Sequence, residues 1–275
     1  MNLSGKTCFI AGASGAIGCA VANRFYAESA RLALTYLTQP PAFPDSKQGA
    51  GHDRPLQLRL DVRQRSEVQT AVAHVVEHFG TIDILVNCTG VLGPVGPVAK
   101  VDADQWAQAV EINLIGSFYL TRAVLGVMQA KGRGKIIHFS GGGAAYGRPF
   151  FTAYGASKAA LVRFTESLAE EVREDNIQIN AIAPGPVNSR MWQQLRQAGE
   201  LAGRRAVEEL RTMDETGGVS PERAAALALF LASDRSDGLT GRLISAVHDP
   251  WESMDQRIPE IMRTEAGTLR RVPIG

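Results

Sequence analysis

The sequence predicts an α/β fold in which a parallel sheet carries helices on both faces. Short apolar runs alternate with stretches of helical periodicity along most of the chain. The run from Ile82 to Val86 is mostly apolar, as expected of a strand that is covered on both faces. Several runs end in polar or glycine-rich turns, which in open α/β sheets lie at the ligand-binding carboxyl edge.

Composition limits the architecture and the class of partner. The 275 residues are 45% apolar and 21% charged, so we expect one domain over residues 1–247 and a tail over residues 248–275. The formal net charge of +1 provides no basic field for nucleic acid, and no block of lysine and arginine indicates a membrane surface. We therefore expect a small-molecule substrate, with neither nucleic acid nor membrane as partner.

Cysteine usage and the N-terminal residues predict the compartment. Cys8, Cys19 and Cys88 are scattered without paired spacing, which is typical of a reducing compartment, and no metal site is predicted. The start of the chain lacks an apolar run of signal-peptide length, and no run reaches about 18 apolar residues. These features predict a cytoplasmic protein.

A glycine-rich turn follows the first predicted strand. Thr7 to Ala11 are mostly apolar, residues 12–18 read GASGAIG, and helical periodicity follows. Such a turn lets the backbone approach a pyrophosphate and directs a helix N-terminus at its negative charge. A plain tight turn is the alternative, and the flanking strand and helix favour a cofactor.

The second predicted strand, Arg31 to Leu37, ends without a carboxylate. Dinucleotide-binding folds place an acidic residue there for the adenine ribose hydroxyls, whereas this chain has Thr35 and Tyr36. The difference argues mildly against a strict preference for NAD, although no arginine follows Tyr36 directly.

Residues 38–54 are predicted to form a long loop. They contain three prolines and two glycines and lack apolar periodicity. Lys47 or Arg54 could reach the adenosine from this loop, which is otherwise a plain connector.

The middle of the chain supplies further strand ends at the same edge of the sheet. Strand Leu56 to Leu60 ends at Asp61 and Val62, and helix Ser66 to Phe79 follows. The strand that ends at Val86 runs into Asn87-Cys88-Thr89-Gly90. Polar turns after buried strands indicate a ligand site.

A long helix is predicted from Asp102 to Gln129, with Asp102 as its N-cap. Asn113 lies inside it among apolar neighbours, where an amide destabilises the helix unless it has fixed partners. The next strand, Lys135 to Phe139, runs into Ser140 and a run of three glycines, residues 141–143.

Tyr154 and Lys158 are the strongest candidates for chemistry. They are four residues apart in a predicted helix and therefore share a face. A phenol is a poor proton donor at pH 7, but a nearby ammonium favours the phenolate and brings the pKa toward neutrality. The pair suits proton exchange with an alcohol oxygen.

The C-terminal third completes the alternation. Strand Ile177 to Ala183 ends in the turn 184–189, and the charged helical residues Arg190 to Gly218 suit a lid over a substrate pocket. A helix capped by Ser220 and a last strand, Arg242 to Val247, follow.

The order of these motifs closely resembles the short-chain dehydrogenase/reductase family over about residues 4–247. The matching motifs are GASGAIG at 12–18, Asp61-Val62, NCTG at 87–90, Asn113, the pair Tyr154 and Lys158, and NAIAPGPVNS at 180–189. The resemblance implies a Rossmann-type fold, a doubly wound seven-stranded parallel sheet in three αβα layers. It also implies a nicotinamide cofactor, NAD or NADP with a weak preference for NADP, and a homotetramer or homodimer.

The resemblance assigns roles residue by residue. It implies that Tyr154 is the general acid/base, that Lys158 binds the nicotinamide ribose and lowers the tyrosine pKa, that Asn113 holds a water that passes protons onward, and that Ser140 is a candidate for the catalytic serine. The implied cofactor-binding residues are Gly12, Ser14, Gly15, Ala16, Ile17, Gly18, Tyr36, Asp61, Val62, Asn87, Gly90, Tyr154, Lys158, Pro184, Gly185, Val187 and Ser189.

Smaller departures from the family pattern occur in the turns. Ala16 stands at the second glycine of the loop, Thr89 replaces the usual alanine, and Ser189 stands where threonine is general.

The largest departure concerns the catalytic serine. The family commonly has it 13 residues before the tyrosine, where this chain has Gly141, while Ser140 lies 14 before. If the loop carries a one-residue insertion, Ser140 turns into the site; if not, the hydrogen bond to the substrate oxygen is missing. Losing such a donor commonly costs about 10²- to 10³-fold in rate, so an ungapped register predicts a slow enzyme, another donor such as Thr152, or a changed reaction.

Two classes of function follow. The first is an NAD(P)-dependent oxidoreductase that interconverts a secondary alcohol and a ketone on a small or medium-sized metabolite. The second is a related protein with impaired redox turnover that binds a ligand or performs dehydration or epimerisation. An apolar substrate wall is expected from Val91, Leu92, Phe150, Phe151 and Trp192.

Overall fold

Seven parallel strands form one sheet in the order β3-β2-β1-β4-β5-β6-β7. We describe the fold from a computed structural model, which covers residues 1–43, 54–272 and 274 in describable form. The strands are β1 (Thr7–Ala11), β2 (Arg31–Tyr36), β3 (Leu56–Arg59), β4 (Ile84–Asn87), β5 (Gly134–Phe139), β6 (Ile177–Ala183) and β7 (Leu243–Ser245). The strand order reverses between β1 and β4, which creates a crevice at their carboxyl ends. The predicted α/β class and the seven-stranded doubly wound sheet are confirmed.

Helices cover both faces of this sheet. In the described part of the chain they are α1 (Ala16–Ala27), α2 (Arg65–Phe79), α3 (Ala103–Val110), α4 (Gly116–Lys131), α5 (Thr152–Glu171), α6 (Arg190–Ala198), α7 (Gly203–Thr216), α8 (Pro221–Ala232) and α9 (Ile258–Ile261). Helices α1 and α8 bury Phe25 and Phe230 in one apolar layer. Helices α2, α4 and α5 bury Val68, Leu120 and Leu168 in the other. The sheet therefore lies between two cores.

The long helix predicted from Asp102 is divided. Asp102 caps α3, since its carboxylate accepts a hydrogen bond of 2.8 Å from the Gln105 N–H. A π-helical turn, Glu111–Ile115, then joins α3 to α4. By length and composition alone the segment Ala103–Lys131 could span a membrane. Its residues Leu120 and Val124 pack in the core beneath the sheet, whereas Ile115 and Phe118 are exposed.

The tail packs on the domain. Trp251 lies against Phe230 of α8 with ring centroids 6.3 Å apart, and its indole N–H donates to the Ala246 carbonyl at 3.2 Å. Farther along, the Leu243 N–H donates to the Gly267 carbonyl at 2.7 Å. Residues 251–269 thus cover the end of α8 and the edge strand β7.

The loop predicted over residues 38–54 lies partly outside the described residues. Residues 38–43 and Arg54 have no regular structure, as predicted. Lys47 is outside the described residues.

Candidate active site

A cavity of about 990 Å³ opens at the carboxyl ends of β4, β5 and β6. The turns that follow these strands supply much of its wall, together with α5, α6 and α7. Ile17 of α1 and residues of β7 and the tail complete it. The predicted site residues that line it are Ile17, Ser140, Tyr154, Lys158, Pro184, Gly185, Val187 and Ser189. The sheet edge therefore gathers residues from widely separated parts of the chain.

The glycine turn between β1 and α1 is built for close packing. Gly12 has φ +75°, and a Cβ there would lie 3.1 Å from the Cys88 carbonyl carbon. A Cβ at Gly18 would overlap the carbonyl oxygen of Gly12. The turn therefore needs glycine at both positions, whereas Ala16 begins α1 without difficulty, so this departure from the family pattern is harmless.

This turn fits a pyrophosphate. Ser14, Gly15 and Ala16 form the N-terminal end of α1, whose first turn contains no acidic residue. Unpaired N–H groups and the helix dipole at such an end favour an anion. The residues present thus fit a dinucleotide cofactor.

The adenosine side of the crevice lies at the ends of β2 and β3. The Asp61 carboxylate binds the Arg63 guanidinium, with an Oδ2–Nη2 distance of 2.6 Å, and the hydrogen bond from Arg63 lowers the pKa of Asp61. Val62 is buried, and a Cβ at Gly116 would lie 2.7 Å from its Cγ2. Both residues help to fix the loop after β3.

Basic side chains stand near Tyr36. Tyr36 pairs in register with Arg59 of the neighbouring strand, and the side chain of Arg59 is exposed. Arg63 lies at the same end but is paired with Asp61, so Arg59 is the residue that adds positive charge there. Sequence reasoning missed Arg59 because it lies in a strand, and only the register places it beside Tyr36.

Asn113 is fully buried and its amide is saturated. Its Oδ1 accepts from the Val91 N–H at 2.8 Å, and its Nδ2 donates to the Val91 carbonyl at 2.9 Å and to Ser157 Oγ at 3.0 Å. The π-helical turn aims the side chain at these partners. Asn113 therefore fastens the turn after β4 to α5, and any relay of protons would use its main-chain carbonyl, which also accepts from Ser117 Oγ at 2.7 Å.

Asn87 and Gly90 occupy the turn after β4. The Asn87 amide donates to Ser117 Oγ at 2.8 Å, and its Oδ1 accepts from the Thr89 N–H at 3.1 Å. A Cβ at Gly90 would lie 3.1 Å from Lys158 Nζ. Asn87 thus provides a hydrogen-bond partner for Thr89, and the absence of a side chain at Gly90 leaves room for Lys158.

Tyr154 and Lys158 lie on one face of α5, as predicted. They are 7% and 2% exposed. Lys158 Nζ lies 6.0 Å from the centroid of the Tyr154 ring and donates to the Phe139 carbonyl at 2.8 Å. Helical periodicity therefore brings the phenol and the ammonium to the cavity wall.

The electrostatics of Tyr154 differ from the prediction. Burial raises the pKa of its phenol to about 12, and the cation that opposes this rise is Arg148. Burial also lowers the pKa of Lys158 to about 8. The expectation that Lys158 makes the phenol more acidic is therefore not met, because loss of water around the phenolate outweighs a lysine held at this distance.

Gly141, and not Ser140, stands against the phenol. A Cβ at Gly141 would overlap Tyr154 Oη. Ser140 Oγ is buried and has no hydrogen-bond partner among the described residues, while its N–H donates to the Ile182 carbonyl at 2.8 Å and continues the sheet. Gly141 thus occupies the place beside the phenol, while the unpartnered hydroxyl of Ser140 lies at the cavity wall.

The other predicted donor, Thr152, does not line the cavity. Its Oγ1 accepts from the Trp106 indole N–H at 3.1 Å on the outside of α5. Of the two predicted hydroxyls, that of Ser140 therefore lies at the cavity wall of the described residues.

Helices α6 and α7 close the substrate side. Their residues Leu195, Ala206 and Leu210 pack with Phe151 and Tyr154 in a separate apolar cluster. The base of this segment is tied by a bridge between Val187 and Gly218. Leu92, Phe151 and Trp192 line the cavity as expected, whereas Phe150 is 37% exposed and packs on Gly203.

Sequence reasoning missed the charged part of this wall. Arg148, Arg205 and Glu209 line the cavity opposite the strand ends. They come from an irregular loop and from a helix whose charges look like a solvated face in sequence. The sequence signal available for this wall was Arg148, which follows shortly after the three glycines at 141–143.

Comparisons with known proteins agree with this geometry. A family model described as enoyl-(acyl carrier protein) reductase matches residues 12–246. A 3-oxoacyl-(acyl-carrier-protein) reductase FabG of Thermotoga maritima is 32% identical over 245 residues, which cover 89% of this chain and 97% of the relative.

Solved structures resemble the whole domain. Levodione reductase superposes with a TM-score of 0.78 at 26% identity, covering 89% of this chain and 96% of its own. A variant of actinorhodin polyketide ketoreductase with NADPH superposes with a TM-score of 0.75 at 26% identity, covering 87% and 95%. The similar proteins are named as reductases, so a module without redox turnover is not favoured.

Proposed function

The chain belongs to the short-chain dehydrogenase/reductase family of nicotinamide-dependent oxidoreductases, and we propose that it interconverts a secondary alcohol and a ketone on a small or medium-sized metabolite. The observation that carries the proposal is the buried pair Tyr154 and Lys158 at the wall of a cavity that also meets the glycine-turn crevice. Non-redox chemistry would not require that crevice.

Each residue has one task in this proposal. Tyr154 Oη donates a proton to the ketone oxygen during reduction and accepts it from the alcohol during oxidation. Lys158 binds the nicotinamide ribose, and the Val187 main chain and Ser189 hydroxyl hold the carboxamide. When bound, the nicotinamide supplies or accepts the hydride. Helices α6 and α7 act as a lid that keeps water from the reacting groups.

The pKa of Tyr154 predicts how the rate of oxidation depends on pH. Burial raises the pKa of the phenol to about 12, so it is protonated at pH 7 and can donate a proton to a ketone oxygen. Oxidation needs the phenolate, so we expect the rate of alcohol oxidation to rise with pH.

The basic adenosine end supports a preference for NADPH. No carboxylate ends β2, and Arg59 and Arg63 stand beside Tyr36 and Asp61. A 2′-phosphate would meet guanidinium groups there. Arg59→Ala should raise the dissociation constant of NADPH several-fold and leave that of NADH unchanged.

A homodimer or homotetramer is also proposed. The outer face of α4 and α5 supports it, because Ile115 and Phe118 are 38% and 41% exposed and Phe118 contacts Phe164. Light scattering after gel filtration measures the mass directly, and a monomer at micromolar concentration would contradict it.

The experiment is a binding titration followed by a substrate screen. NADH and NADPH are titrated separately by fluorescence, and the better one is used with panels of ketones and secondary alcohols while absorbance at 340 nm is followed. The proposal predicts binding of at least one cofactor and turnover of members of both panels. Binding of neither cofactor would contradict it.

A further inference from the structure

Three charged side chains form a chain along the cavity wall beyond Tyr154. Arg148 Nη2 donates to Glu209 Oε2, and Arg205 Nε lies 3.2 Å from Glu209 Oε1. All three line the cavity. Two cations share one carboxylate, so this Arg148–Glu209–Arg205 cluster carries one uncompensated positive charge.

The described cavity wall holds two further carboxylates. Glu208 pairs with Arg211 at 3.6 Å. Asp249 accepts a hydrogen bond of 2.7 Å from the Ser245 N–H at the end of β7, which leaves its charge in place. The Arg205 side chain is 63% exposed and the Arg148 side chain only 14%, so Arg148 is the cation of the cluster that a ligand in the cavity meets away from water.

The guanidinium of Arg148 is fixed in position, but only one of its nitrogens is paired with a carboxylate of the described residues. Its guanidinium carbon lies 4.3 Å from the Phe151 ring centroid, and its side chain is 14% exposed. A Cβ at Gly142 would lie 3.3 Å from Nη1, and a Cβ at Gly143 would lie 3.3 Å from its Cβ. The glycine run thus leaves room for this arginine, and Nη2 alone of its nitrogens has a hydrogen-bond partner in the described part of the chain.

The same glycine run connects Arg148 to the phenol. Gly141 leaves room for Tyr154 Oη, and the next residue, Gly142, leaves room for Arg148 Nη1. The guanidinium is near enough to lower the pKa of Tyr154 against the effect of burial. One small molecule can therefore meet both groups.

We propose that the substrate is an oxo acid or its hydroxy acid, whose carboxylate binds the free fork of Arg148 while its carbonyl or hydroxyl meets Tyr154. This rests on the proposed function. A carboxylate completes the charge pairing of the cluster, and guanidinium donors bind carboxylates in bidentate geometry. Glu209 already places a carboxylate against this arginine.

Anchoring by Arg148 also fits the glycine at position 141. Gly141 has no side chain that could orient the substrate oxygen beside Tyr154 Oη. A substrate fixed at its carboxylate end has its carbonyl oriented from that end instead. Arg148 is then a substrate-binding residue that does the positioning.

The test compares straight-chain 2-, 3- and 4-oxo acids with their methyl esters in the enzyme with its preferred cofactor. We expect kcat/KM to favour at least one acid over its ester by tenfold or more. In Arg148→Gln the KM for that acid rises at least tenfold, because a charge-assisted hydrogen bond contributes about 1.5 to 3 kcal/mol, while the ester changes less than about threefold. Arg263→Gln, at an exposed arginine of the tail that does not line the cavity, is the matched control.

Glu209→Gln separates this role from a structural ion pair. Both variants break the same bridge, so a purely structural role predicts that both impair the enzyme alike. Our proposal predicts that the two variants change the KM for the acid in opposite directions. The KM rises in Arg148→Gln, and it falls several-fold in Glu209→Gln because a competing carboxylate is gone. Calorimetric titration of the same oxo acids gives a binding readout that is independent of turnover.

The outcomes are distinct. Equal turnover of acids and esters, or equal losses in both variants, overturns the carboxylate site while neutral ketone turnover leaves the proposed function intact. Absence of any turnover overturns the proposed function, and calorimetry then tests the carboxylate site by itself. Acid that binds the wild type and no longer binds Arg148→Gln supports the site. Acid that does not bind the wild type, or that binds Arg148→Gln unchanged, overturns it.

Discussion

Tyr154 has two unlike neighbourhoods. On one side, Asn113, Ser157 and Lys158 are buried. The Asn113 amide donates to Ser157 Oγ, and the side chains of Ser157 and Lys158 donate to the carbonyls of Tyr154 in α5 and Phe139 at the end of β5. On the other side, Gly141 leaves an open wall, and Ser140 Oγ is buried without a partner in the described residues.

The contrast shows which part of the site the fold determines. The buried side is fixed by hydrogen bonds that folding must satisfy, because an unpaired polar group there costs free energy. The open side is formed by glycines and by charges on a loop and on α7. If Tyr154 carries the proton and Arg148 binds the substrate as proposed, proton handling is built into the core, while substrate recognition depends on surface segments.

The largest effect is expected from Asn113→Leu. It removes the amide and leaves the Val91 N–H and carbonyl unpaired, which should lower the free energy of unfolding by about 3 to 5 kcal/mol. Urea denaturation measures it. Ser140→Ala is the control from the open side and should change the unfolding free energy by less than about 1 kcal/mol. Similar losses of unfolding free energy in the two variants would contradict the difference between the buried and the open side of the site.

Lys158→Met tests the buried charge through pH. The pKa of Lys158 is about 8 in the folded chain and about 10.4 in an unfolded one. Between these values the unfolded state binds more protons, so wild-type stability rises with pH. The cost of the buried ammonium is full below pH 8 and is relieved as the pH approaches 10.4.

The unfolding free energy of wild type minus that of Lys158→Met should therefore increase by about 3 kcal/mol across this window. Urea denaturation at several pH values measures the difference. Lys100→Met, at an exposed lysine, is the control and should show no such trend. A difference that stays constant with pH would contradict a buried ammonium at Lys158.

Gly141→Ser restores the residue that the family commonly has. Because a Cβ at this position overlaps Tyr154 Oη, we expect the phenol to be displaced and turnover to fall about tenfold, since small misplacements of a catalytic group are costly. Gly147→Ser, where a Cβ meets nothing within 4 Å, is the matched control. An increase in turnover would show that the site merely lacks its serine.

Sequence alone reached the fold and the buried side of the site. Motifs such as Tyr154 with Lys158 depend on helical spacing, and Asn113 stood out as a polar residue in an apolar helix. Both signals reflect rules of local structure. The π-helical turn that aims Asn113 had no sequence signal of this kind.

The open side could not be derived in the same way. The choice between Ser140 and Gly141 depends on where β5 ends, and Ser140 continues the sheet through its hydrogen bond to Ile182. Arg148 and Glu209 are 61 residues apart, and only the packing of α7 over the loop brings them together. The pKa of Tyr154 was misjudged because its burial could not be read from spacing.

The most direct test of the account is the kcat/KM of Tyr154→Phe with the preferred cofactor and the best substrate from the screen. Tyr119→Phe, on α4 outside the cavity wall, is the control. If Tyr154 carries the proton, kcat/KM falls by about 100-fold or more while the cofactor binds as before and Tyr119→Phe retains full activity. Tyr154→Phe with the wild-type rate would contradict the account.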